Sequence, residues 1–224
     1  MPLSIRNVRV LSYLCLLCVC LAAATPACAK DGRVARVVDG DTLVLQSGET
    51  LRILGVDSPE MDLGGGVAGY FAKESKQALK DLVGGRDIHW KGARPDRYGR
   101  ILARIDIPEG DVGEIMVRQG FAWYYPHADH PIGFGAEMLT AQREAMENGA
   151  GLWKGFIPWA RKQGPVVGNR RSWRFFPARQ VDAAGVSPVY QVRFANQEEA
   201  FLSGFVPARG YGLWPATSAM DPAR

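Results

Sequence analysis

Residues 33–54 read RVARVVDGDTLVLQSGETLRIL, and the strand pattern of this stretch decides the fold. Short runs rich in β-branched residues and leucine are separated by two turn signals, Asp39-Gly40 and Ser47-Gly48. Strands joined by such tight turns form an antiparallel meander. The three predicted strands are Arg33–Val38, Thr42–Gln46 and Leu51–Leu54.

The segments that follow complete a recognisable order of elements. Apolar residues at helical spacing predict a helix that stops at Gly84-Gly85, in the manner of a glycine after a helix end. Two strands and two helices come next. Three strands, a helix, two strands and two helices predict an α+β fold, a five-stranded antiparallel Greek-key barrel of the OB type with three helices. These later elements are Val67–Val83, Arg86–Trp90, Arg100–Ile107, Val112–Gln119 and Ala136–Asn148.

The chain beyond Trp153 has a different amino-acid composition, rich in glycine, proline and arginine. Residues 30–155 contain 16 Lys and Arg against 19 Asp and Glu, a net charge of −3, whereas residues 156–224 contain 9 against 4, a net of +5. The sequence therefore predicts a catalytic domain over 30–155 and a small basic extension over 156–224 of uncertain fold. Only one strand-like run, Val189–Phe194, stands out in the extension.

The first 29 residues predict a signal peptide. Arg6 and Arg9 precede an apolar run over Val10–Ala24, and Ala27-Cys28-Ala29 provides a cleavage motif. An uncleaved membrane anchor or a lipid on Cys28 are the alternatives, but the apolar run is shorter than the roughly 20 residues of a spanning helix. We expect a secreted or periplasmic protein with no stable membrane insertion after processing.

All four cysteines lie inside this predicted signal peptide, at positions 15, 18, 20 and 28. The processed chain would therefore have no thiol and no disulfide, which excludes cysteine nucleophiles and cysteine metal sites. At 47% hydrophobic and 22% charged residues, the composition also excludes wholesale disorder and a polytopic membrane protein.

Charged residues gather in three short segments of the predicted barrel, and a purely structural interpretation accounts for them poorly. The segments are Val38–Thr42, Arg52–Glu60 and Asp96–Arg100. Arg52 lies in an apolar strand, and Asp57 and Glu60 bracket a Ser-Pro turn, so acids and a base converge at the end of one strand. In combination, these segments resemble the staphylococcal nuclease (thermonuclease) family over about residues 33–154.

The resemblance implies a role for each matching residue. Asp41 and Asp57 look like the side-chain ligands of a calcium ion (Ca2+), with the carbonyl oxygen of Ser58 as a further ligand. Arg52, Glu60 and Arg100 look like the catalytic residues. Arg97 and Tyr98 lie beside the site and are expected to help hold a nucleotide of the substrate.

These residue types suit phosphodiester hydrolysis. Negative charge develops on the phosphate and leaving oxygens as water attacks, so a cation and guanidinium groups stabilise the transition state. Calcium prefers carboxylate, carbonyl and water oxygens. The resemblance thus implies a secreted calcium-dependent endonuclease that acts on DNA and/or RNA and leaves 3′-phosphate ends.

Other interpretations of the same features remain open at this stage. The barrel alone also fits a non-catalytic nucleic-acid-binding OB module, or an exported carbohydrate- or protein-binding domain. His89, His127 and His130 raise the question of zinc, and Tyr124 or Tyr125 are candidates for contacts to a base. Residues 169–179 interleave four arginines with three aromatics, which predicts either a nucleic-acid tether or a surface segment with solvated arginines.

Overall fold

The structure is a computed structural model that describes residues 29–127 and 130–220. The predicted signal peptide lies outside these residues, apart from Ala29. The first part of the described chain alternates short strands with helices in the predicted order. Its elements are β1 (Lys30–Val37), β2 (Thr42–Leu45), β3 (Thr50–Ile53), β4 (Val56–Asp57), α1 (Ala72–Val83), β5 (Asp87–Pro95), β6 (Ile101–Ile107), β7 (Gly110–Asp111), α2 (Val112–Arg118), β8 (Trp123–Tyr124), α3 (Phe134–Glu147) and α4 (Trp153–Ala160).

Five of these strands close into a barrel, which confirms the predicted fold. β1 pairs with β2 and β5, β2 pairs with β3, and β5 pairs with β6, all antiparallel. The closing pair, β3 with β6, is parallel, so the barrel is mixed rather than wholly antiparallel. Alternate residues such as Leu43, Leu45, Leu51 and Ile53 are buried inside it, because successive side chains of a strand point to opposite faces.

The first helix begins later than its apolar spacing predicts. It starts at Ala72 rather than Val67, and it ends at Val83, as the glycines after it indicate. Residues 64–66 are glycines with positive φ, and Asp62 accepts hydrogen bonds from the backbone N–H groups of Gly64 and Gly66. Residues 67–71 then bond outside any helix: the carbonyl of Val67 accepts from the N–H of Leu63, the N–H of Tyr70 donates to the carbonyl of Pro215, and Phe71 has a positive φ.

The C-terminal extension forms a small sheet of its own. Its elements are β9 (Val166–Asn169), β10 (Arg174–Pro177), β11 (Gln191–Phe194), α5 (Gln197–Leu202) and β12 (Val206–Pro207). The strands lie in the order β11-β9-β10-β12, with the β10–β12 pair parallel and the other two pairs antiparallel. The strand-like run predicted from the sequence is a strand only in its last four residues, and the helix of the extension has only six residues.

The sheet of the extension packs on the helices that follow the barrel. Phe175 and Phe201 are fully buried in one cluster with Trp153 and Phe156 of α4. Phe201 lies edge-on to the rings of Trp153 and Phe156, with centroids 5.1 and 5.5 Å away. Because such contacts are apolar and extensive, the extension is fixed against the barrel rather than tethered to it.

The two parts are also joined by a buried amide. Gln142 of α3 is fully buried, its Oε1 accepts from the backbone N–H of Tyr124 at 2.8 Å, and its Nε2 donates to the carbonyl of Phe201 at 2.8 Å.

Replacing Gln142 with methionine should lower the free energy of unfolding by about 1–3 kcal/mol, because the buried Tyr124 N–H loses its partner. Chemical denaturation measures this loss. Gln163→Met, at an exposed position, should change it little, and equal stability of the two variants would contradict the prediction.

Candidate active site

The ends of β1, β3 and β4 bring the predicted acids to one place. Asp41 precedes β2, and its carbonyl accepts from the N–H of Ile53, next to Arg52 on β3. Asp57 ends the short β4 strand. Gly40 makes this approach feasible, since a Cβ there would lie 2.7 Å from the Cβ of Ser58.

Arg52 holds the two predicted metal ligands on its two terminal nitrogens. Its Nη1 pairs with Asp41, and its Nη2 contacts Oδ1 of Asp57 at 2.6 Å and the carbonyl of Val56 at 3.2 Å. Only 11% of the Arg52 side chain is exposed. The planar guanidinium thus fixes both carboxylates in one orientation.

Asp41 is held from its other side by Ser58. Its Oδ2 accepts from the backbone N–H of Ser58 at 2.9 Å and from the hydroxyl of Ser58 at 3.1 Å, while its Oδ1 accepts from Thr42. The structure therefore brings together Asp41, Arg52, Asp57 and Ser58, as their common place in the sequence motif predicts.

Glu60 forms an ion pair with Arg209, a residue that the sequence analysis did not predict to be in the site. Nη2 of Arg209, just after β12, lies 2.9 Å from Oε1 of Glu60 and 3.2 Å from Oδ1 of Asp57. These contacts join residues about 150 positions apart along the chain. Arg209 stands alone among small residues in the sequence, and no spacing or motif marks it.

Burial and mutual repulsion perturb the acids of this cluster. Burial, followed by the charge of Asp41, raises the pKa of Asp57 to about 6 against the opposing effects of Arg52 and Arg209. The same two causes raise the pKa of Asp39 to about 6. Burial lowers the pKa of Arg52, but the charges of Asp41 and Asp57 outweigh it, and the pKa lies above its ordinary value.

The charge and the donor atoms of the cluster fit a hard divalent cation. Four carboxylates meet two guanidinium groups, which leaves two negative charges in excess when all are ionised. No three His, Cys, Asp or Glu side chains of the described residues are grouped around a common metal position, so a metal would rest on two carboxylates with backbone and water oxygens. The charged groups are Asp39, Asp41, Asp57, Glu60, Arg52 and Arg209.

The other predicted residues form a second cluster around Asp96. Nε and Nη2 of Arg100 lie 3.0 and 2.8 Å from Oδ2 of Asp96. The guanidinium groups of Arg97 and Arg100 lie 4.8 and 5.3 Å from the ring centre of Tyr98. Arg100 therefore contacts Asp96 and Tyr98 in this structure, rather than the group around Arg52.

The arginine-rich segment 169–179 is buried in part and exposed in part. Phe175 is fully buried, so its ring is not accessible for stacking on a base. The guanidinium of Arg174 contacts the Tyr125 hydroxyl and lies 3.9 Å from the centre of that ring. Of the two candidate tyrosines, Tyr124 is 8% exposed and Tyr125 is covered by Arg174. Among the arginines and aromatics of the segment, Arg170, Arg171, Trp173 and Arg179 are exposed.

The histidines serve local contacts. His89 pairs with Asp31 on the barrel surface, and Nδ1 of His130 lies 3.4 Å from the Tyr124 hydroxyl. Within residues 29–127 and 130–220, no helix has the length and apolar character needed to cross a membrane.

The fold and this site define an OB-type barrel with an acid–arginine cluster at one end, an arrangement suited to phosphoryl chemistry. The sequence matches the family model described as staphylococcal nuclease homologue over residues 50–155. It is 36% identical over 132 residues to an uncharacterised endonuclease of Escherichia coli, which spans 57% of this chain and 79% of that protein. It is 33% identical over 150 residues to an uncharacterised endonuclease of Haemophilus influenzae, covering 61% and 78%.

A more distant relative is the staphylococcal-like nuclease CAN1 of Arabidopsis thaliana, 30% identical over 122 residues, or 53% of this chain and 35% of that protein. The chain belongs to the staphylococcal nuclease family. This confirms the predicted class, a nuclease of the hydrolase type. Enzymes of this family are generally metal-dependent.

Proposed function

We propose that the protein is an exported, calcium-dependent endonuclease that hydrolyses phosphodiester bonds of DNA and/or RNA and leaves 3′-phosphate ends. The observation that carries the proposal is the fork of Arg52, which holds Asp41 and Asp57 together at a buried position. One acid is enough to neutralise the charge of an arginine in a structural ion pair. Two acids on one arginine leave one negative charge that a bound cation can neutralise.

Asp41 and Asp57 would hold the calcium ion, with the carbonyl oxygen of Ser58 as a further ligand. A bound divalent cation withdraws charge from a phosphate oxygen and so stabilises the charge that develops in the transition state. The excess negative charge and the oxygen donors of the cluster support calcium over softer metals.

Three side chains would perform the other steps of phosphodiester hydrolysis. Glu60, whose side chain is 48% exposed at the edge of the cluster, orients the attacking water or removes its proton. Arg52 contacts the equatorial phosphate oxygens. Arg100 stabilises the leaving 5′ oxygen, which requires its guanidinium to leave Asp96 when substrate binds.

Arg97 and Tyr98 would hold a nucleotide next to the scissile bond. Tyr98 is 67% exposed, and its ring already packs against two guanidinium groups. An exposed ring flanked by cations offers both stacking and phosphate contacts to a flexible strand. No 2′-hydroxyl is required by these contacts, which supports action on both nucleic acids.

A direct assay tests the proposal. Residues 30–224 are incubated with circular single-stranded DNA, plasmid DNA and RNA in the presence of calcium, magnesium or a chelator, and product termini are identified by mass spectrometry. We expect linearisation of circular substrates with calcium only, and 3′-phosphate ends. Full activity in chelator would contradict the calcium dependence. Binding without hydrolysis under every condition would favour a non-catalytic OB module.

A further inference from the structure

A cavity of about 360 Å³ lies between the barrel and the 207–214 segment of the extension. One wall carries Asp57, Ser58 and Glu60 of the acid cluster. A second wall includes Arg209, Leu213 and Trp214 of the extension. The cavity volume falls within the range of about 300–1,000 Å³ that is usual for small-molecule sites.

The segment that forms this wall is fixed at both ends. At its start, the N–H of Ala208 donates to the carbonyl of Phe175 at 2.9 Å, which continues the β10–β12 pairing. At its end, Trp214 donates from Nε1 to the carbonyl of Tyr70 at 3.0 Å, and the N–H of Tyr70 donates to Pro215. A wall held from both sides is preorganised and loses little entropy when a ligand binds.

Arg209 projects from this wall toward the acid cluster while its side chain stays 69% exposed. Both of its contacts, to Asp57 and Glu60, use Nη2. A guanidinium has five N–H donors in a planar fork, so its accessible edge can take a phosphate while Nη2 keeps its present partners.

The rest of the cavity is suited to a flat, largely apolar group. Leu63, Leu213 and Trp214 line it with apolar surface. Trp123 also lines it, is 4% exposed, and has its ring centre 4.6 Å from that of Trp214. Leucine and indole surface of this kind favours the face of a flat ring, which a nucleobase offers.

We propose that this cavity is a nucleotide subsite in which Arg209 contacts a phosphate of the substrate and the apolar lining formed by Leu63, Leu213 and Trp214 receives the base attached to it. The subsite deepens the proposed function, on which it rests, because it places a nucleotide beside Asp57 and Glu60. The base must leave its stack to enter, so the enzyme acts on single-stranded or locally opened substrate in preference to intact duplex.

Binding of three small probes to the full processed chain tests the subsite by calorimetry. The probes are deoxyadenosine 5′-monophosphate, deoxyribose 5-phosphate and deoxyadenosine. Arg209→Ala should weaken both phosphate-containing probes about tenfold or more and leave deoxyadenosine unchanged, because only the phosphate contact is lost. Leu63→Ala should weaken only the two probes that contain a base. Leu63 and Arg209 are both exposed enough for these variants to fold.

Two control variants test whether the phosphate affinity depends on the position of Arg209 and on its positive charge. Arg193→Ala removes an exposed arginine of β11 and should change each affinity less than twofold. Arg209→Lys keeps the positive charge and should recover part of the phosphate affinity. Thermal unfolding of each variant confirms that the comparison is between folded proteins.

The outcomes separate this proposal from the nuclease assignment. Unchanged or tighter nucleotide binding by Arg209→Ala, in a chain that hydrolyses DNA with calcium, would overturn the subsite and leave the nuclease assignment intact. Failure of the wild-type chain to bind deoxyadenosine 5′-monophosphate at millimolar concentration would also overturn it. If the wild-type chain showed no hydrolytic activity but Arg209→Ala lost nucleotide binding, the result would support the subsite and contradict the nuclease assignment.

Discussion

Replacing Arg52 with alanine is expected to lower kcat by about a thousandfold, at the upper end of the loss for one preorganised donor to transition-state charge. The structure gives Arg52 two tasks, since it would contact the phosphate and also holds Asp41 and Asp57 in place. Its removal therefore disturbs the metal ligands as well. Single-turnover hydrolysis of an oligonucleotide measures the effect on the chemical step.

The same substitution should also destabilise the fold. Removing one partner of a buried ion pair leaves uncompensated charge, and the cost is about 3–5 kcal/mol. Arg52→Lys keeps the charge without the planar fork and should retain more stability but little activity. Arg36→Ala, on the exposed face of β1, is the matched control. Near-normal kcat in folded Arg52→Ala protein would refute the assigned role.

Replacing Asp57 with asparagine should weaken calcium binding on the order of a hundredfold and abolish activity at ordinary calcium concentrations. Loss of a residue that only hydrogen-bonds to a metal ligand costs about 10–100-fold in metal affinity, so loss of a direct carboxylate ligand should reach at least the upper end. Asparagine has the shape of aspartate, and the contact with Arg52 can be kept through its carbonyl oxygen. Calorimetric titration with calcium measures the affinity without turnover.

Calcium affinity and activity should fall together in this variant, and excess calcium should restore part of the activity. Asp182→Asn, at an exposed position of the extension, is the matched control and should behave as the wild-type protein. If Asp57→Asn lost activity but bound calcium with unchanged affinity, Asp57 would not be a ligand.

Much of the candidate site follows from residues that are close in the sequence. Asp41, Arg52, Asp57 and Ser58 belong to one meander of short strands, and tight turns leave such strands few ways to pair. Their residue types and order therefore predict their meeting, which the structure shows. The orientation of Arg100 was not predictable in this way, because a turn places Asp96 within reach of the same side chain.

The contribution of the extension was not predictable from its composition. Arginines and aromatics between 169 and 179 left open a nucleic-acid tether or a surface segment with solvated arginines, because a local sequence cannot show which aromatic side chains find a partner surface. Phe175 is buried because α4 and α5 present a matching apolar face, a property of the packed structure.

The sequence by itself determined the barrel, the family and the acid–arginine cluster, because alternating apolar residues and tight turns act over a few residues and specify local pairing. Only the tertiary structure decided that Arg209 joins Asp57 and Glu60, and that Leu213 and Trp214 close a cavity beside them. These contacts join residues about 150 positions apart. They form only because burial of the aromatic cluster holds the extension against the barrel, and no local pattern encodes that docking.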